Sequence, residues 1–294
     1  MQVKSTLLLP LALALLSCTP AEVAQPPVHL DQRGLWVWSN LPSIDPQVRA
    51  GLLQLAAQQR LTTLYLQAQT LVYDAPAALH QAISDAAEAG LEVELLAGKH
   101  SWVRPAEHAE LLALLGDLRG FVGQAAGPKA VAIHLNIEPH ALAEWDSDRQ
   151  ALANALIDLM ELASAALQGS GLQLVYDMPN WYDDIAVVRG GVQRPLSQWL
   201  QDRVDRVVLM DYRDDPALML QLAEGELAYA DQIGRRVVIG AETRCQLDPA
   251  ITWCEEGRAA LQAGLEQVSL GARQRLSFAG TAIHDWKGLA ALGQ

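Results

Sequence analysis

Residues 90–140 read GLEVELLAGKHSWVRPAEHAELLALLGDLRGFVGQAAGPKAVAIHLNIEPH. Gly90 stops a helical stretch, and the short apolar run 91–96 that follows has the length and composition of a strand. Residues 105–123 then repeat leucine and alanine at helical spacing, and 131–137 return to strand character as Val-Ala-Ile-His-Leu-Asn-Ile. The stretch is one strand–helix–strand unit. Both strands run into polar residues, Lys99-His100-Ser101-Trp102 after the first and Glu138 after the second.

The same alternation continues outward in both directions. Further strands are expected at 34–38, 63–66, 172–176, 204–210, 237–240 and 278–283, and helices over 46–60, 75–89, 148–167, 196–203, 215–233 and 255–271. Eight strands alternating with helices fit the α/β class, as a single (β/α)8 TIM barrel over residues 29–294 with no second domain. No GxGxxG turn follows the first strand, which argues against a dinucleotide-binding sheet and against a bound cofactor of that kind.

The chain has 294 residues, 51% of them hydrophobic, and chains of this size bury about three quarters of their unfolded surface. With 21 Lys+Arg against 34 Asp+Glu the formal charge is −13, and no basic cluster occurs. Nucleic acid and anionic membrane surfaces select dense positive charge, so neither is an expected partner. A neutral ligand and a monomer remain.

Residues 1–17 carry Lys4, an apolar run from Leu7 to Leu16 interrupted by Pro10, and Ser17. About ten apolar residues suit an export signal, whereas a membrane-spanning helix needs about twenty. Leu15-Leu16-Ser17-Cys18 resembles the bacterial lipobox, which implies lipidation at Cys18 and a cell-envelope location held by the lipid alone; an ordinary secretory peptide is the alternative. Residues 18–28 then supply a Pro- and Ala-rich tether. Export to an oxidising compartment lets Cys245 and Cys254 pair, closing a loop worth about 2–3 kcal/mol. Two free thiols are the alternative, and no further ligands at zinc spacing accompany them.

Barrel sites form where strands enter the following loops. Here those ends offer Trp36, Trp38, Gln67, Gln69, Lys99, His100, Trp102, Glu138, Asp177, Asn180, Trp181, Asp211, Tyr212, Glu242, His284, Asp285 and Trp286. Eight Trp and six Tyr against two Phe, with Trp145 and Trp253 also near the expected mouth, suit stacking on sugar rings. In 131–137, alternation puts His134 and Asn136 on one face with Glu138 next in phase, at about 6.6–6.8 Å per pair of residues, while Ile133, Leu135 and Ile137 face helices. A carboxyl among indoles and neutral polar groups suits a raised pKa and general-acid work on a glycosidic oxygen. Restraint of Glu138 by His134 or Lys99 is the structural alternative.

Val131 to Glu138 resembles the fourth-strand motif D-x-x-D-x-D-x-E of the chitinase-like glycoside hydrolase family 18, with Glu138 in the place of the catalytic acid. Residues 91–102 are similar to that family's third strand, Met210-Asp211-Tyr212 to its M-x-Y, and Trp286 to its final-strand tryptophan. The motif aspartates are here Val131, His134 and Asn136. An asparagine two residues before the acid glutamate also occurs in the related endo-β-N-acetylglucosaminidase family 85. The resemblance implies a glycan containing N-acetylhexosamine as partner, with Asn136 and Tyr212 positioning the acetamido group and Trp286 flooring the subsite. His134, Lys99, His100, Trp102, Asp177, Trp181, Asp211, His284, Trp36 and Trp38 would complete substrate binding.

Three other arrangements compete. Glutamates after strands four and seven, Glu138 and Glu242, would form a retaining pair if about 5–5.5 Å apart. His100, His134, His140 and His284 with Asp211 and Asp285 contain metal-ligand chemistry, yet the first strand offers Trp-Val-Trp where barrel metalloenzymes place His-x-His, and no metal is expected. His284 with Asp285 reads instead as a hydrogen-bonded pair positioning a loop, and Asp183-Asp184 and Asp214-Asp215 as loop or helix-cap charges. Loss of the motif aspartates also suits a catalytically inactive glycan-binding lipoprotein.

Overall fold

The computed structural model describes residues 32–293; the signal segment, Cys18 and the tether lie outside the described residues. The strands are β1 (Gln32–Val37), β2 (Thr63–Gln67), β3 (Glu92–Gly98), β4 (Ala132–Asn136), β5 (Gln173–Pro179), β6 (Ala186–Arg189), β7 (Val192–Pro195), β8 (Arg206–Met210), β9 (Arg236–Glu242) and β10 (Phe278–His284). Eight of them close into a parallel barrel in the order β1-β10-β9-β8-β5-β4-β3-β2. All eight expected strands are present, and the chain is a single (β/α)8 barrel. Among the described residues no helix is long and apolar enough to cross a membrane.

Strand alternation separates two cores. Leu35, Val37, Leu64, Leu66, Leu95, Ile133, Leu135, Val207, Leu209, Val237 and Ile239 face outward into the layer shared with the helices. Trp36, Tyr65, Leu96, Ala132, Val175, Val208 and Val238 fill the interior. Two large rings fit inside because glycines face them: a Cβ at Gly34 would lie 2.1 Å from the Tyr65 hydroxyl, and one at Gly240 would lie 3.0 Å from Trp36.

Several helix ends follow local chemistry. Asp45 caps Pro46–Gln58 by accepting from the N–H groups of Gln47 and Val48, and Asp215 caps Pro216–Leu222 through Ala217 and Leu218, as read for Asp214-Asp215. The helix expected over 215–233 is two, Pro216–Leu222 and Glu224–Ile233, broken beside Gly225, whose low helix propensity weakens that turn. The β6–β7 hairpin was not expected. Its signal is Gly190-Gly191 between valines, both glycines at positive φ, 57° and 79°, as a two-residue hairpin turn requires. Cys245 and Cys254 form a disulfide with Cα atoms 5.0 Å apart.

Candidate active site

A line of alternating basic and acidic side chains runs through the barrel interior. Arg206, at the start of β8, pairs with Glu94 of β3; Glu94 Oε2 contacts His134 Nδ1 at 2.8 Å, and His134 Nε2 contacts Asp177 Oδ1 at 2.6 Å. Asp177 Oδ2 then accepts from the Trp36 indole N–H at 2.9 Å. Gln32 donates to the Tyr65 hydroxyl and to Glu94 Oε1. Burial alone would depress the His134 imidazolium, but Asp177 and Glu94 hold it up to about 9. Burial likewise works to raise Glu94, and Arg206 with His134 keeps it below the ordinary glutamate value.

This line corrects several expected sugar contacts. Trp36 is 1% exposed, and His134 and Asp177 have no exposed surface, so in this structure they support the mouth from beneath. Trp102 and Asp211 are equally buried, and Trp145 and Trp253 nearly so. The reason lies in phase and packing: Trp36, His134 and Asp177 point into the barrel, while Trp102, Trp145 and Trp253 pack into the layer shared with the helices, which sequence numbering near a strand end does not reveal. Trp38 remains partly open, packed on the interior cluster, with its ring edge above Gly98 and Asn136. Trp181 is exposed, whereas Trp286 begins the last helix and packs against the layer between barrel and helices.

Glu138 sits half-buried above β4. Its Oε2 is 3.1 Å from His140 Nε2. Burial works to raise its pKa, but His140 first, then Asn136 and His100, bring it below the usual glutamate value. The raised pKa expected for a general acid is therefore not that of the unliganded site. The restraint comes from His140, not from His134 or Lys99; Lys99 pairs outward with Glu107 and Glu110, and His100 is exposed. Asn136, two residues before Glu138, has a buried Oδ1 with no hydrogen-bond partner among the described residues.

Across the mouth, Glu242 is 4% exposed. Its Oε1 accepts from the backbone N–H groups of Thr243 and Arg244 at 2.8 and 2.7 Å, and its Oε2 lies 3.0 Å from His284 Nδ1. Those contacts occupy the lone pairs a nucleophile would use, so the geometry gives Glu242 the role of holding His284. His284 and Asp285 do not pair as expected. Asp285 instead binds Arg244 and caps the last helix through Gly288. Tyr212 lies between these groups, its ring centroid 5.8 Å from that of His284. Burial first, then the charges of Glu242, Asp177 and Glu138, push its hydroxyl well above the ordinary tyrosine value, which keeps it a donor.

Beside the mouth, Asp211 Oδ1 accepts from Asn180 at 2.8 Å while Oδ2 has no partner among the described residues, and burial raises this carboxyl to about 7. Glu226, fully buried with both oxygens unpartnered among the described residues, is raised to about 8 by burial and by Asp183. Among the described residues no group of three or more His, Cys, Asp or Glu is arranged to hold a metal ion.

Sequence reasoning missed Glu94, Arg206, Tyr182 and the pairing of His140 with Glu138. Glu94 had a signal: a charged residue in the middle of a run otherwise reading as a buried parallel strand needs a partner inside the barrel.

No protein-family model and no curated protein sequence matches the chain. Solved structures do. A GH18 chitinase from Pseudoalteromonas aurantia aligns with a TM-score of 0.58 and 12% identity over 87% of this chain and 94% of that one. A chitinase from Chromobacterium violaceum gives 0.52 and 14% over 89% and 98%, and fungal β-1,4-galactanases give 0.55 and 13% over 86% and 88%. At such identities the likeness is one of fold. The chain is a divergent (β/α)8 barrel similar in fold to GH18 chitinases and to barrel galactanases.

Proposed function

We propose that the protein is a retaining glycoside hydrolase acting on a glycan that contains N-acetylhexosamine, with Glu138 as acid/base. The observation that carries this reading is Asn136, two residues before Glu138, whose buried Oδ1 is left without a hydrogen-bond partner among the described residues. An acetamido N–H supplies the missing donor. The Tyr212 hydroxyl then donates to the acetamido carbonyl, whose oxygen attacks C1 as Glu138 gives a proton to the departing glycosidic oxygen. Water opens the resulting oxazolinium ring and returns a proton to Glu138, with retention at C1. Trp38 and Trp181 supply ring faces for neighbouring sugars, and Glu242 fixes His284 beside Tyr212. The lipobox-like Leu15-Leu16-Ser17-Cys18 and the tether support anchoring to the cell envelope by lipid.

The test is a matched pair of probes, tri-N-acetylchitotriose and its fully deacetylated trimer. This reading expects hydrolysis of the first with retained anomeric configuration and none of the second. Equal cleavage of both would remove the acetamido step. A second reading, an inactive glycan-binding barrel, is favoured by the contact of Glu138 with His140 and by the fully engaged Glu242; it expects binding of the acetylated trimer without turnover.

A further inference from the structure

Glu242 closes β9 and His284 closes β10, and the two are direct partners in the register of that strand pair. Ala282, two residues before His284, lies in the interior cluster, so alternation turns His284 to the same side, onto the floor of the mouth. There the ring lies against Trp36 and Tyr212, at centroid distances of 5.7 and 5.8 Å. In the closed order of strands β10 is four places from β4, so His284 stands across the barrel from Asn136 and Glu138.

Donors surround the Glu242 carboxylate. Besides the backbone N–H groups of Thr243 and Arg244 on Oε1, the Gln246 amide reaches Oε2 at 3.5 Å from within the loop that Cys245–Cys254 closes. A carboxylate only accepts, so His284 Nδ1 donates across its 3.0 Å contact with Oε2 whether the ring is neutral or charged. Nε2 is left without a partner among the described residues and is not sealed, since 20% of the side chain is exposed. A neutral ring presents an acceptor there and a charged ring a donor, and a hydroxyl meets both. A ligand ammonium suits only the first. A ligand anion suits only the second, and it would face the charges of Glu242, Asp177, Glu138 and Asp285, which together bear on this side of the mouth.

We propose that His284 and Glu242 form one hydroxyl-reading unit, in which Glu242 holds the ring and Nε2 binds a hydroxyl of the sugar seated across from Glu138. The inference rests on the glycan reading for its ligand, and it holds for an active or an inactive barrel alike. His284 touches the ligand, whereas Glu242 acts through His284 and is a positioning residue. The unit makes this part of the floor selective: a sugar whose hydroxyl meets Nε2 is held, and one with hydrogen in that place loses the contact.

The test is nitrogen NMR of the full chain carrying labelled histidine, titrated with tri-N-acetylchitotriose and with cellotriose, while tryptophan fluorescence records binding on the same samples. Binding should displace the Nε2 resonance of His284, identified by its absence in His284→Gln. In Glu242→Gln the amide oxygen keeps the two backbone donors and the amide nitrogen faces Nδ1, so the neutral ring should carry its proton on Nε2 instead; this exchange also identifies the ring if His284→Gln does not fold. His284→Phe, which keeps a ring beside Trp36 and Tyr212 but has no Nε2, should bind about tenfold more weakly than the parent, and His284→Gln, which keeps a polar end at similar reach, within about threefold of it. Binding that leaves the His284 resonances in place overturns the unit and leaves the glycan reading standing. An Nδ1 unchanged in Glu242→Gln overturns the hold of Glu242 on the ring. Displacement by cellotriose alone upholds the unit and contradicts N-acetylhexosamine as the sugar, and absence of binding by either trimer removes the glycan reading and this inference with it.

Discussion

Stability against pH exposes the charge line in the barrel. His134 is raised from 6.5 to about 9 in the folded chain, at about 1.4 kcal/mol per pH unit, so its linkage amounts to about 3 kcal/mol. The folded value lies above the unfolded one. This stability is therefore complete below pH 6.5 and is lost as pH rises through about 9. For a domain near this size the loss corresponds to about 6–12 °C in Tm. Urea unfolding followed by tryptophan fluorescence, repeated from about pH 6 to about pH 10, reads the slope directly. His134→Gln leaves Glu94 and Asp177 without their shared cation, which lowers stability at about pH 6 by roughly 3–5 kcal/mol. Asp211 and Glu226 add slope of the same sign in part of the window, so the difference between parent and variant isolates His134. A parent curve that stays flat from pH 6.5 to about 9, or a variant with the parent's slope, refutes the reasoning.

Two further outcomes follow from buried groups. Glu226 is raised from 4.5 to about 8, so the folded chain holds a proton that the unfolded chain has lost; stability falls between those values and stays lower above them. Glu226→Gln removes this loss, and the variant should exceed the parent in Tm at about pH 9 while differing little near pH 4.5. Reduction of Cys245–Cys254, or replacement of both by serine, should lower stability by about 2–3 kcal/mol, read as an earlier urea midpoint. No midpoint change would mean that the loop after β9 is held without the bond.

The barrel was legible because its signals are local. Each strand is a short apolar run between helical stretches, and the eight runs fall where the eight barrel strands are. Phase along β4 was legible too, since alternation alone places Ile133 and Leu135 against helices and His134 inward. What His134 meets inside was not. Glu94 and Arg206 are 40 and 112 residues from their partners, and only closure of the barrel brings β3, β4, β5 and β8 to a common axis. The same limit applies to tryptophan: Trp36 and Trp38 are neighbours of opposite fate, one sealed beneath the mouth by Asp177 and the other open above it. His140 was read only as a possible metal ligand, and its pairing with Glu138 was missed because the ring is held by Tyr182, 42 residues away on the loop after β5.

The most direct measurement compares the parent chain with Glu138→Gln on a panel of N-acetylhexosamine oligosaccharides, with binding recorded on the same samples. The account predicts turnover by the parent, at least about a hundredfold less in the variant, and binding retained in both. Turnover that survives the substitution, or binding with no turnover in either protein, would contradict Glu138 as the acid of a glycosidase.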